Sequence, residues 1–115
     1  MAYSEYVVDR VRRQLKGTGV LEEKKMMGGY LFMVNGKMCI GIDIDKDNQQ
    51  DRLMVRVGKL NYEELLTKEG SKKMDFTGRP MRGFLYIYPE GFDTEEDLDF
   101  WVEKALAFNK LLLQD

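Results

Sequence analysis

An α+β domain built on a mainly antiparallel sheet is predicted by three observations in the sequence. Apolar residues recur at helical spacing near both ends, over 3–16 and from about 93 to 112. Between them lie short β-branched and aromatic runs at 30–34, 37–42, 52–57 and 84–88. The first two runs are joined only by Asn35-Gly36, a pair that suits a type I′ hairpin turn because both positions accept a positive φ. Tight turns make neighbouring strands antiparallel, and the helices supply a second layer on one face. The predicted order is α-β-β-β-α-(β)-β-α.

In the first helix, Val7, Val11 and Leu15 share a stripe with Tyr3, and Arg10, Arg12, Arg13 and Lys16 fill the polar sides. Gly17 ends it after a last turn rich in cations. Residues 18–25 read as a connection with a short extended piece, and Gly28-Gly29 as a bulge or a close backbone approach. Residues 43–51 read as a polar loop. Asn61 with Glu64 three residues on is a capping-box pattern, opening a short helix that Gly70 closes. Residues 71–83 read as irregular or as holding a short strand. Pro89 and Gly91 stop the last strand. The final helix is predicted to bury Leu98, Trp101, Val102, Ala105, Phe108 and Leu112.

The chain of 115 residues is of single-domain size, so residues 1–115 are expected to form one domain with its own core. Cys39 is the only cysteine, which excludes an intrachain disulfide. No secretory signal and no apolar run of about 18 residues is present, so a cytoplasmic protein without membrane contact is expected. The net charge is −2, with a net +3 over residues 1–60 and a net −5 over residues 93–115. With no recognisable helix-turn-helix besides, direct binding to DNA is not expected.

There is no histidine, which excludes Ser-His-Asp and Cys-His catalysis and His-ligated metals. Phosphate-cradling glycine motifs are absent. Asp43, Asp45, Asp47 and Asp51 occupy four positions of a calcium loop, but Met54 stands where the bidentate Glu belongs, so a solvated hairpin loop is expected. Cys39, between Met38 and Ile40, reads as a small core residue. No catalytic group, cofactor or metal site is assigned.

Two surfaces stand out. Tyr30, Phe32 and Val34 oppose Leu31 and Met33, and Phe84, Tyr86 and Tyr88 oppose Leu85 and Ile87. Both strands are therefore apolar on both faces. Tyr30, Phe32, Phe84, Tyr86 and Tyr88 are the candidates for an interface with a protein partner or a second copy of the chain. Separately, residues 72–82 hold Lys72, Lys73, Arg79 and Arg82 against Asp75 alone. With Arg56 they form a candidate site for a small anion or a nucleotide.

Five segments together resemble the N-terminal domain of the TfoX/Sxy family of bacterial competence regulators. They are Lys25-Met26-Met27-Gly28-Gly29, Val34-Asn35-Gly36-Lys37-Met38, Arg52-Leu53-Met54-Val55-Arg56-Val57-Gly58, Met74-Asp75-Phe76-Thr77-Gly78-Arg79-Pro80-Met81, and Leu98-Asp99-Phe100-Trp101-Val102 with Ala105-Leu106. The chain departs from the family at Met27, often an aromatic there, and in its longer acidic loop at 43–51. The resemblance implies a two-layer α/β fold and a regulatory role through protein contacts, since the full-length regulators promote expression of DNA-uptake genes alongside a global activator. Those regulators carry a second, helical domain. This sequence is expected to be a stand-alone N-terminal module, so the competence role itself is not carried over. The family offers no catalytic residues to transfer.

Overall fold

The computed structural model describes residues 3–26, 28–76 and 78–114, with Phe76 and Pro80 described by their backbone alone. Met27 and Thr77, which belong to two of the matched segments, lie outside the described residues.

Ser4 caps the first helix, its hydroxyl accepting the Val7 N–H at 3.3 Å, and α1 (Glu5–Leu15) follows. Four antiparallel strands come next: β1 (Leu21–Met26), β2 (Gly29–Val34), β3 (Lys37–Ile44) and β4 (Asp51–Arg56). A single-turn helix α2 (Tyr62–Leu65) leads to the hairpin of β5 (Ser71–Phe76) and β6 (Arg79–Ile87). The short α3 (Pro89–Phe92) and the long α4 (Glu95–Leu112) complete the chain. The strands form one sheet in the order β1-β2-β3-β4-β6-β5, antiparallel throughout. The α+β reading therefore holds.

Register explains where the core lies. Ile42 sits opposite Leu53, and Leu53 opposite Ile87; Ile40 sits opposite Val55, and Val55 opposite Leu85. These two rows cross the sheet on one face, and every member is at most 1% exposed. Val11 and Leu15 of α1 and Leu98, Trp101 and Val102 of α4 complete the same cluster. Three buried polar contacts fix the layers. Arg10, 5% exposed, donates to Glu95 at 2.9 Å and to the carbonyls of Phe92 and Asp93 at 3.0 and 3.1 Å. Trp101 Nε1 donates to the Gly91 carbonyl at 3.0 Å, and Asn109 Nδ2 to the Val34 carbonyl at 3.0 Å.

Several local expectations need correction. Residues 21–26 form a full strand at the sheet edge rather than a connection with a short extended piece, while the short strand allowed within 71–83 is present as β5 at the opposite edge. Neither shows period-two hydrophobicity, because these edge strands have little to bury: β1 is exposed over nearly its whole length, and in β5 Met74 is the one fully described side chain that is buried. Their lysines also discourage pairing with other chains. The capping box at Asn61 does not form: with φ −100° and ψ 1° the residue is outside the extended region that aims a cap side chain, and it makes no cap bond. In α4, Asn109 is buried where Phe108 and Leu112 had been expected; those two are half-buried. The Asn35-Gly36 turn is as predicted, with φ values of 51° and 80°. Among the described residues no helix is long and apolar enough to cross a membrane.

Candidate functional site

The face of the sheet turned away from the helices carries the residues that alternate with the core rows. On it, Met26, Leu31, Met54, Met74 and Tyr86 surround Gly41 and line a depression of about 120 Å³. Gly41 is its floor. A Cβ there would lie 2.8 Å from Leu31 Cδ2 and 2.9 Å from Met54 Cε, so only glycine lets these side chains close over the backbone. Met74 is nearly buried, Leu31, Met54 and Tyr86 are half-buried, and Met26 is 48% exposed. The helices that build the core leave Met26, Leu31, Met54 and Tyr86 uncovered.

One end of this face is polar and tightly knit. Arg52 grips Asp43 with two bonds, Nε to Oδ1 at 2.8 Å and Nη2 to Oδ2 at 3.1 Å. Its Nη1 reaches the Tyr88 hydroxyl at 3.2 Å and Asp45 at 3.4 Å, and its guanidinium stacks 3.7 Å from the Tyr86 ring centroid. Tyr88 in turn donates to Asp45. Burial works against the Arg52 charge, but the bonds to Asp43 and Tyr88 outweigh it and leave the guanidinium above its ordinary value. The Tyr88 hydroxyl, with the Asp47 backbone N–H, holds the Asp45 carboxyl below its ordinary 3.8. Burial and the bond to Asp45 push the Tyr88 phenol above its ordinary 10.0. Of the four acids that align with a calcium loop, Asp43 and Asp45 thus serve Arg52, and no metal-binding cluster occurs among the described residues.

These shifts set a pH dependence with a definite sign. A carboxyl lowered by folding stabilises fully above its unfolded pKa, and that stability is lost as pH falls through the folded value. A phenol raised by folding stabilises fully below its unfolded pKa and loses that stability as pH rises through the folded value. The melting temperature is therefore expected to be flat from about pH 5 to 9, falling on both sides. Asp45→Asn should flatten the acid limb, as measured by thermal melts from pH 2.5 to 6; an unchanged acid limb would remove Asp45 from the explanation.

The interface candidates divide between the two faces. Tyr30 shares its register with Ile42 and so points with the core rows; its ring packs 5.3 Å from that of Tyr3 and 5.5 Å from that of Phe32. Its hydroxyl donates to Glu23 at 2.6 Å, and the Arg12 hydrogen bond lowers the Glu23 carboxyl. Phe32, fully buried, belongs to the core and is not available to a partner. Phe84 and Tyr86 lie on the helix-free face, half-buried. Tyr88, 5% exposed, lies against Arg52 and Asp45, with the Lys72 ammonium 4.9 Å from its ring centroid. Alternation within each strand was legible; which faces of distant strands coincide depends on register, and sequence does not supply it.

The five basic candidates do not converge either. Lys72 lies opposite Tyr86 and Arg79 opposite Phe76 at the turn, so the two stand about 13 Å apart along the hairpin. Lys73 lies opposite Leu85 and is exposed. Arg56 and Arg82 do meet, in a cleft of about 380 Å³ at the far end of the sheet. There Lys59, Leu60, Phe84, Phe108 and Leu111 join them. Lys59 and the two α4 residues were not among the candidates, because only the fold brings α4 to the end of β4. Cys39 is buried, as expected, and burial pushes its thiol up to about 12.

The sequence profile of the TfoX N-terminal domain matches residues 13–109 of the 115. A search of curated proteins found no match. The matched span runs from within α1 to within α4 and so takes in the whole sheet, the depression around Gly41 and most of the lining of the basic cleft. The chain belongs to the TfoX N-terminal domain family.

Proposed function

We propose that the chain is a regulatory module that acts by protein contact rather than catalysis, and that a second copy of the chain docks on its helix-free sheet face. The observation that carries this reading is the uncovered apolar surface of Leu31, Met54 and Tyr86 around Gly41, with Met26 exposed at its edge. A sheet face of this kind suits another sheet, which packs about 10 Å away with side chains interdigitated. Methionines at its centre adapt to whatever they meet. Glu22, Lys24, Asp43 and Lys72 lie on the same face by alternation, so the rim holds both signs of charge. A two-fold copy of such a rim offers each sign a partner.

Chemistry at the site favours binding. The sequence has no histidine, and its one thiol is buried and held protonated at neutral pH. The basic residues stand in separate groups, and the overall charge of −2 does not favour nucleic acid. A lone cysteine fits the reducing cytoplasm, where we place the module.

Met54→Glu tests the docking face. Met54 is half-exposed in the single chain, so the variant should keep its far-UV circular dichroism. In a docked pair the new carboxylate would be buried without a partner, so self-association should weaken by about a hundredfold or more. A folded Met54→Glu protein that associates like the wild type would contradict the proposal.

A further inference from the structure

We infer that the basic cleft at the end of the sheet binds a small organic anion carrying a flat aromatic group. Arg56 is the centre of the case. It is half-buried, yet among the described residues it has no carboxylate within ion-pair distance. Arg10, Arg12, Arg52 and Arg82 each have at least one. Its guanidinium, with no carboxylate beside it, is open to an incoming ligand, and its planar fork matches a carboxylate or phosphate with two parallel bonds.

The surroundings select the rest of the ligand. Arg56 lies 5.5 Å from the Phe84 ring centroid and 5.6 Å from that of Phe108, so an anion bound to its fork sits beside two aromatic rings. Lys59 and Arg82 bring the cations lining the cleft to three, and no acid is among the described lining residues. Arg82 does pair with Glu63 at 2.6 Å, but both are mostly exposed, where such a pair contributes little and yields to a stronger anion. The lip is apolar: Leu60 is 94% exposed and Leu111 52%. Apolar side chains left in water beside a group of cations suit a ligand that is charged at one end and apolar at the other. The volume of about 380 Å³ is that of a small-molecule pocket, too small for a folded partner. None of this depends on self-association at the central depression.

The test is an NMR titration of the full chain, following the amides of Gly58, Lys59 and Gly83. Phenyl phosphate supplies anion and ring, benzoate the same ring with a carboxylate, inorganic phosphate the anion alone, and benzyl alcohol the ring alone. Phenyl phosphate or benzoate should give saturable shifts confined to the cleft, and the stronger of the two identifies the oxyanion. Inorganic phosphate and benzyl alcohol should each bind about tenfold more weakly or worse. Arg56→Gln should weaken the aromatic anion by about tenfold or more. Lys59→Ala, an exposed site whose loss leaves the fold intact, should weaken it several-fold with an unchanged melting temperature. Shifts that fail to saturate, equal binding of inorganic phosphate, or unchanged affinity in both variants would overturn the assignment.

Discussion

Trp101→Ala is expected to remove about 3–5 kcal/mol, a large part of the roughly 5–15 kcal/mol that holds a domain of this size together. Trp101 is 2% exposed and is among the largest of the buried side chains between α4 and the sheet. Truncation leaves a cavity that the surrounding core residues only partly fill. It also strips the Gly91 carbonyl of the indole N–H it accepts at 3.0 Å. Trp101→Phe separates the two contributions: it keeps most of the packing and loses only the donor, for about 1–2 kcal/mol. Because Trp101 is the only tryptophan, the melts must be followed by circular dichroism rather than by fluorescence. An alanine variant within 1 °C of the wild-type melting temperature would show that α4 does not hold the core as described.

Gly70→Ala should cost about 2–4 kcal/mol, although it adds only one methyl group. Gly70 has φ +80°, a conformation that L side chains rarely adopt. Its Cβ would also stand 2.5 Å from the Gly91 nitrogen and 2.7 Å from the Gly91 Cα. Those neighbours are backbone, so nothing flexible can yield. The Gly70 carbonyl accepts the Tyr88 N–H at 2.8 Å, which ties the loop before β5 to the end of β6. Gly91 is thus pressed by Gly70 on one side and bonded to Trp101 on the other. The double variant Gly70→Ala/Trp101→Ala should therefore be less destabilised than the sum of the singles, since the second change acts on a turn already displaced. Strict additivity in denaturant melts would mean that the two residues act on separate parts of the fold.

The parts of this molecule that sequence disclosed are those governed by local rules. Asn35-Gly36 specifies its turn through backbone preference alone, and the stripe from Leu98 to Ala105 specifies the buried side of α4 through its spacing. What stayed hidden depends on contacts between distant segments. The strand at 21–26 has almost no hydrophobic signal because the sheet edge asks little of it beyond backbone pairing. Tyr30 and Tyr86 looked alike as strand aromatics, yet the register through Ile42, Leu53 and Ile87 sends them to opposite faces. The basic residues of 72–82 clustered in sequence and scattered in space, because a hairpin separates its two ends. Arg56 joined Phe108 across about fifty residues of chain, a meeting that no short-range pattern announces.

The same distinction applies to the helix-free face. Alternation showed that β2 and β6 are apolar on both sides, and the fold shows that helices cover one side only. What occupies the other side is the central proposal. Static light scattering on the wild-type protein over a wide concentration range tests it most directly. The mass should rise from near 13.5 kDa toward twice that value as concentration increases. A mass that stays at one chain throughout would contradict docking of a second copy on the sheet face.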